Sequence, residues 1–151
     1  MFNKTQQPMK KIAFLLIAAI AFSAAATTTV NDTPIKGAWI VVKSRYGDEK
    51  ELVNHDLEKV RAIKMFTGTR WSGSSYNLKE KKISGSNGGS YKISGTKYVE
   101  TVEYFSWDAN TEGKTFEFTM TIENGMLHQF GYIVYDGNPK YLIDEWYKRI
   151  D

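Results

Sequence analysis

The alternation of apolar and polar residues is clearest over residues 115–134. Four apolar side chains alternate there with threonines and glutamates: Phe116, Phe118, Met120 and Ile122. A period of two with one apolar side is typical of a β-strand that buries one face. Asn124-Gly125 then predicts a type I′ turn, because both central residues of that turn need a positive φ. The segment is therefore interpreted as a β-hairpin whose apolar face must be covered by further strands.

The remaining apolar patterns predict strands over residues 37–46, 60–69, 70–78, 90–94, 97–107 and 141–150. One face of the first strand is expected to carry Trp39, Val41, Lys43 and Arg45. A weak helical stripe over residues 47–59 indicates a loop with room for a short helix, and residues 84–89 and 136–139 predict turns. About eight strands with short connections predict an all-β fold, an antiparallel up-and-down barrel.

The first 26 residues have the pattern of a signal peptide. Met9-Lys10-Lys11 is basic, residues 12–22 are apolar but too short to span a bilayer comfortably, and small residues follow at 23–26. The pattern predicts cleavage near residue 26, with Met9 as a second candidate start, and export to the periplasm or beyond the cell. An uncleaved anchor is the alternative. Residues 27–36 are then a flexible lead-in, and residues 37–151 form one domain.

Charge and cysteine content narrow the classes of partner. Three of the 20 basic residues lie in the leader, which contains no acid, so the remaining chain carries 17 basic and 17 acidic residues. A neutral domain gives no electrostatic reason to expect a nucleic acid or an anionic membrane surface. The chain contains no cysteine, so packing rather than disulfides must stabilise the fold. No membrane span is expected after cleavage.

A family resemblance begins at Gly37-Ala38-Trp39, since lipocalins carry a Gly-x-Trp in their first strand. Arg149 stands where that family places an arginine across the tryptophan ring. The chain also resembles small secreted bacterial proteins that are described only as lipocalin-like. The segments that carry this resemblance are Met65-Phe66-Thr67, Arg70-Trp71, Gly89-x-Tyr91, Tyr98-x-Glu100 and Glu145-Trp146. The second loop motif of lipocalins and their cysteines are not found in this chain.

The resemblance implies that Gly37, Trp39 and Arg149 close one end of a lipocalin-like barrel. An arginine over a tryptophan stabilises such a closure by cation–π contact and by donating to nearby carbonyls. Glu145 shares a strand face with Arg149, and two interpretations of it stay open. It belongs either to a Glu–Arg network that fixes barrel closure or to a polar anchor at the base of a ligand cavity.

A mostly apolar interior with a few polar groups is the usual design of a small-molecule site. Glu100 shares a face with Tyr98, Val102 and Tyr104 in the strand pattern. The candidate ligand-binding residues are Arg70, Tyr98, Glu100, Tyr104, Phe116, Phe118, Phe130 and Tyr132. So many rings could equally fill the interior, and the sequence leaves both outcomes open.

No catalytic or metal-binding constellation stands out. The serine-rich segment at residues 71–75 lacks the Gly-x-Ser-x-Gly pattern, and Glu100 and Glu103 face opposite sides of one strand. His55 and His128 have no convergent ligands in sequence, so no metal and no cofactor are expected. The chain is therefore expected not to be an enzyme.

The leading hypothesis is an exported lipocalin-like barrel that binds a small, largely apolar molecule in its interior. The alternative is a protein-interaction or inhibitor module that uses a barrel rim or outer face, with exposed aromatics such as Trp107 and Tyr135. An isomerase or cyclase ranks third, because it would need a pocket group with a perturbed pKa. The identity of a ligand and the oligomeric state are not indicated by the sequence.

Overall fold

The computed structural model describes residues 34–134 and 140–151. The predicted signal peptide and the predicted turn at residues 136–139 lie outside the described residues. Within them the chain forms these elements: β1 (Gly37–Tyr46), β2 (Val53–Asn54), β3 (Val60–Phe66), β4 (Arg70–Asn77), β5 (Lys82–Ser94), β6 (Lys97–Phe105), a 3₁₀ helix (Ala109–Thr111), β7 (Thr115–Glu123), β8 (Met126–Ile133) and β9 (Tyr141–Arg149). None of the helical structure in this part of the chain is long and apolar enough to cross a lipid bilayer.

The strands close into an antiparallel barrel. From β3 to β9 each strand pairs with the next, while β1 pairs with β3 on one edge and with β9 on the other. Eight strands thus form a closed up-and-down barrel, and the two-residue β2 adds to the edge of β1. The predicted all-β, lipocalin-like barrel is confirmed. The short helix allowed for residues 47–59 is not formed; β2 lies there instead.

The hairpin of β7 and β8 forms as predicted. Asn124 and Gly125 have φ values of 53° and 78°, which a type I′ turn requires. A two-residue turn sets Glu123 opposite Met126, and this pairing fixes the register of both strands. The inward-facing pairs that follow are Ile122 with Leu127, Met120 with Gln129, and Phe118 with Gly131.

A β-bulge at Val42 changes the face of β1. The pairing with β9 shifts between Val41 and Lys43, so one residue is left unpaired. Because an extra residue reverses the alternation, Lys43 and Arg45 point outward instead of sharing the inward face of Trp39. The predicted face of the first strand was therefore wrong beyond the bulge.

Residues 84–89 lie within β5, so the predicted turn there was also wrong. The glycines serve close approach instead: a Cβ on Gly89 would lie 1.9 Å from the carbonyl oxygen of Thr101, and one on Gly88 would lie 2.5 Å from the hydroxyl of Tyr104. The connection from β4 to β5 precedes them and contains Lys81, whose φ is 55°. Glycine in this strand marks places where a neighbouring chain segment needs the space of a side chain.

The two ends of the barrel differ in burial. The inward side chains toward the end where β1 begins and β9 ends are buried, among them Trp39, Phe66, Trp71, Tyr91, Tyr98 and Leu127. Toward the opposite end they are only partly buried, among them Tyr46, Ala62, Phe105, Ile133, Ile143 and Glu145. We call the first the closed end and the second the open end.

Gly89→Ala is expected to destabilise the fold by about 1–3 kcal/mol, because the added methyl group meets a backbone carbonyl that cannot move aside freely. Gly68→Ala is the matched control, since a Cβ there meets nothing within 4 Å. Urea denaturation of both variants measures the difference in the free energy of unfolding. Equal midpoints for the two variants would contradict the close approach at Gly89.

Candidate functional site

The closed end is sealed by Trp39 and Arg149, as the resemblance implied. The guanidinium carbon of Arg149 lies 5.3 Å from the ring centroid of Trp39, and its NH2 donates to the carbonyl of Lys36 at 2.8 Å. Arg149 Nε also donates to Asp151, which lowers the pKa of that carboxyl below its ordinary value. A Cβ on Gly37 would lie 2.6 Å from Asp151 Oδ2, so the seal needs a glycine there.

Glu145 is not part of that seal. Its carboxylate accepts hydrogen bonds from Tyr46, at 2.6 Å, and from Tyr147. The predicted Glu–Arg network is not formed, because Tyr147 stands between Glu145 and Arg149 on the inward face of β9. Burial first, and the Glu145 carboxylate second, raise the pKa of both tyrosines well above the ordinary value.

A charged cluster occupies the centre of the barrel. Lys64 Nζ donates to Glu100 Oε2 at 3.1 Å and to Gln129 Oε1 at 2.9 Å, while Tyr98 OH donates to the same Glu100 oxygen at 2.9 Å. The ammonium also lies 4.4 Å from the ring centroid of Trp71. All five side chains are buried, so the charges are paired inside the protein, as burial of ions requires.

Sequence reasoning missed Lys64 and Gln129, although two signals pointed to them. Lys64 shares its strand face with Phe66, a residue that is buried in any such barrel. Gln129 lies opposite Met120 once the two-residue turn fixes the register of the hairpin. The inward face of β8 could therefore have been assigned by counting back from Asn124-Gly125.

The structure divides the eight predicted ligand-binding residues into two groups. Those that face the interior are Tyr98, Glu100, Phe116 and Phe118. Those that lie on the outer surface are Arg70, Tyr104, Phe130 and Tyr132. Placing the second group in the interior was wrong. Arg70 faces outward because the adjacent Trp71 of β4 faces inward, and two features of the backbone explain the other three.

The first feature is a bulge at Glu103 in β6. The register with β5 shifts there, so Val102 faces inward while Glu103 and Tyr104 both face outward. On the outer surface Tyr104 OH lies 2.9 Å from Ser72 Oγ, and Arg70 NH1 donates to Glu103 at 2.8 Å. Both predicted residues therefore have surface partners.

The second feature is the register of the β7–β8 hairpin. Because Gln129 and Gly131 face inward, the neighbouring Phe130 and Tyr132 must face outward. The more aromatic face of β8 is thus its outer one, which reverses the expectation from hydrophobicity alone. The polar Gln129 is tolerated inside because Lys64 bonds to it.

A cleft opens between β7 and β8 at the open end. Among the described residues, their pairing stops at Phe118 and Gly131, and a cleft of about 430 Å³ lies beyond that point. Its aromatic lining comes from both sides of the barrel wall: Phe116 and Phe118 from the inner face, Phe130 and Tyr132 from the outer face. This volume falls in the range of about 300–1,000 Å³ that is usual for small-molecule sites. Half of the predicted ligand-binding residues meet there.

A second cleft of about 520 Å³ lies at the closed end, beside Phe66 and Thr67. Its charged lining residues are Lys36, Arg149 and Asp151, and Arg149 bonds both to Asp151 and to the backbone carbonyl of Lys36. We assign this cleft to the seal, since the groups that could recognise a ligand are engaged in closing the barrel.

The outer face of β1, β9 and β8 carries a cluster around Trp146. Lys43 Nζ lies 4.4 Å from a Trp146 ring centroid, and the His128 ring stacks on Trp146 at 3.9 Å. His128 Nε2 lies 2.9 Å from Asp144, and Arg45 donates to the same carboxylate at 2.8 Å. These contacts bridge the seam where β9 meets β1 and β8.

Residues 34–134 and 140–151 contain no group of side chains that could form a metal-binding site. No three side chains of the histidine, aspartate and glutamate types converge there in a way that could hold an ion. His55 Nε2 lies 2.7 Å from Ser44 Oγ, and His128 bonds to Asp144.

The fold has relatives among solved structures. One is a lipocalin-like protein from Bacteroides uniformis. The alignment covers 77% of this chain and 98% of that protein, at 16% identity and a TM-score of 0.50. Another is an uncharacterised protein from Bacteroides eggerthii. The alignment covers 74% of this chain and 98% of that protein, at 15% identity and a TM-score of 0.45. No family model matches the chain, and neither does any curated protein. At 16% identity the likeness to the first of these shows the fold alone, which is a lipocalin-like barrel.

Lys64→Met is expected to cost about 3–5 kcal/mol of stability, because it leaves the buried Glu100 carboxylate without its cation. Adding Glu100→Gln removes that charge and keeps an acceptor for Tyr98. The double variant is therefore expected to lose about 2–3 kcal/mol less unfolding free energy than the two single variants lose in sum. Urea denaturation of the four proteins measures this coupling, and strict additivity would contradict the pairing.

Alkaline pH is expected to unfold the protein through its buried tyrosines. The pKa values of Tyr46, Tyr98 and Tyr147 are raised by burial and then by nearby glutamates. The unfolded phenols ionise above about pH 10, whereas the folded ones stay protonated. The stability they contribute is thus complete below that pH and falls by about 1.4 kcal/mol per tyrosine for each further pH unit.

Unfolding free energies measured across this alkaline range test the expectation. Tyr98→Phe should reduce the slope by about one third, or about 1.4 kcal/mol per pH unit. Phenolate absorbance should show three of the nine tyrosines ionising only as the protein unfolds. If all nine tyrosines ionised before the protein unfolded, the expected link between the buried tyrosines and alkaline unfolding would be refuted.

Proposed function

We propose that this protein is an exported lipocalin-like barrel that binds a small, largely apolar molecule at its open end. The observation that carries the proposal is the aromatic cleft between β7 and β8, where four rings surround about 430 Å³. The export part rests on the signal-peptide pattern of residues 1–26. The proposal assigns no catalysis, metal or cofactor.

The filled centre of the barrel favours the open end over the deep interior. Tyr98 and Leu127 are wholly buried, and Lys64 and Glu100 use their polar atoms on each other. A ligand at the centre would have to displace this paired, close-packed cluster. At the open end Ile133 and Ile143 are only partly buried, and the outward-facing Tyr132 of the cleft is exposed, so a ligand can add contacts without displacing the central cluster.

The lining predicts the chemistry of the bound molecule. Phenylalanine and tyrosine rings favour apolar or flat groups, which they contact by stacking and by edge-to-face packing. Gly131 removes a side chain at the floor of the cleft, where a Cβ would lie 2.8 Å from the Phe118 ring. The Phe118 ring thus packs against the Gly131 backbone, and the exposed aromatic surface of the cleft comes chiefly from Tyr132.

Native mass spectrometry of the full chain, purified gently from an export-competent host, tests the proposal. We expect a polypeptide mass that starts near residue 27, with an added mass that denaturation removes. Tyr132→Ala is expected to weaken retention of the added mass about tenfold, because an aromatic contact of about 1.4 kcal/mol is lost. Tyr76→Ala is the matched control, since Tyr76 is similarly exposed, at 39% against 45%, but lies on β4.

Two outcomes would reject the proposal. The first is a bare polypeptide mass that also fails to shift with a panel of lipids and small aromatic compounds. The second is an equal loss of the added mass in the Tyr76 and Tyr132 variants, which would remove the cleft as its site.

The alternative function, a protein-interaction module, is favoured by the aromatic outer face of β8. Phe130 and Tyr132 continue the surface of His128 and Trp146, and the rings of Phe130 and Tyr132 lie 6.1 Å apart. Trp107 is half exposed at the open end, while Tyr135 lies outside the described residues. A bare mass combined with specific retention of one protein partner, lost on Trp146→Ala, would favour this function.

A further inference from the structure

The Glu145 carboxylate faces the interior with hydrogen-bond donors but without a cation. Tyr46 donates to one oxygen and Tyr147 to the other, so both oxygens act as acceptors, as in the ionised form. In the described part of the chain, no lysine, arginine or histidine nitrogen forms an ion pair with it. Two phenols stabilise a negative charge without cancelling it.

The two fully buried carboxylates, unlike the partly buried Glu145, are compensated. Glu100 pairs with Lys64 at 3.1 Å, and Asp144 pairs with Arg45 at 2.8 Å. The Lys64 ammonium bonds to Glu100 and to Gln129, and forms no ion pair with Glu145 in the described part of the chain. Lys64, Glu100 and Glu145 together sum to one net negative charge. His55 also approaches this region, since its Nε2 lies 2.7 Å from Ser44 Oγ and Ser44 pairs with Glu145 across the strands.

Glu145 does not line the cleft itself but is the next inward-facing residue of β9 beyond the level of Gly131. On β9 it follows Ile143 by two positions, and Ile143 pairs with Gly131, which lines the cleft. Two residues along a strand span about 7 Å, the length of a short alkyl chain. Glu145 is only partly buried, and it lies in the half of the barrel that is less completely filled.

We propose that the ligand is an amphiphile with a protonated amine, whose ammonium group pairs with Glu145 while its apolar part occupies the cleft. This inference rests on the proposed function and specifies its ligand class. An ammonium would neutralise the unpaired charge through a charge-assisted hydrogen bond, which is about twice as strong as a neutral one. A ligand carboxylate would meet a like charge in a site of low dielectric constant.

The tyrosines make the site specific for a cation. Burial raises the pKa of Tyr46 and of Tyr147, so both phenols keep their protons at neutral pH and hold the carboxylate in place. Each phenol uses one lone pair of Glu145, so a neutral alcohol could donate to another but would leave the negative charge uncompensated. An ammonium instead adds a charge that neither phenol supplies.

Calorimetric titration with octylamine, octanol and octanoate at neutral pH tests the inference. The three probes share one alkyl chain and differ in charge. The expected result is that octylamine binds at least tenfold more tightly than octanol, and that octanoate binds most weakly. Glu145→Gln should abolish the preference for the amine and leave octanol binding within about twofold. Glu103→Gln makes the same exchange on the outer surface. This control should change neither the preference for octylamine nor the affinity for octanol.

The ranking of the three probes with the unaltered protein tests the inference even if the Glu145 variant does not fold. Octanol binding that equals or exceeds octylamine binding would overturn the amine assignment and leave the proposed function standing. A result in which octanoate binds most tightly would also overturn the amine assignment and leave the proposed function standing. No binding of any probe, together with a bare mass in native spectrometry, would reject the proposed function as well.

Discussion

The pairing of Lys64 with Glu100 and Gln129 is the constraint on which the barrel interior depends. An ammonium group in a closed eight-stranded barrel is stable only where acceptors surround it, and β6 and β8 supply one acceptor each. The cluster ties β3 to strands on the opposite side of the wall, with Trp71 packed against the cation. The cluster fills the centre of the barrel.

The two ends of the barrel differ in how completely their side chains are bonded and packed. At the closed end, the Arg149 guanidinium covers the Trp39 ring and bonds to the backbone of Lys36, which leaves few free polar groups. At the open end, β7 and β8 separate beyond Phe118 and Gly131, and their aromatic side chains border a cleft. The paired charges at the centre lie between these regions, and Glu145 extends the polar interior toward the open end.

Bulges decide which side chains are available at the open end. The one at Val42 turns Lys43 and Arg45 outward, where they join the Trp146 cluster. The one at Glu103 turns Tyr104 outward beside Ser72. Each inserts a single residue and exchanges the faces of all residues beyond it, so a local backbone feature changes the chemistry of both surfaces.

The sequence by itself determined the barrel, the type I′ turn at Asn124-Gly125 and the pairing of Trp39 with Arg149. These depend on local alternation, on turn residues and on a motif at the chain's first strand, all of which are readable in order along the chain. Only the tertiary structure decided that Phe130 and Tyr132 face outward and that Glu145 bonds to tyrosines instead of to Arg149. The physical reason is that bulges and strand register set the facing of every residue beyond them, and that partners such as Lys64 and Gln129 lie 65 residues apart in sequence. Hydrophobicity identifies a strand, but the neighbours across the barrel determine which of its faces is buried.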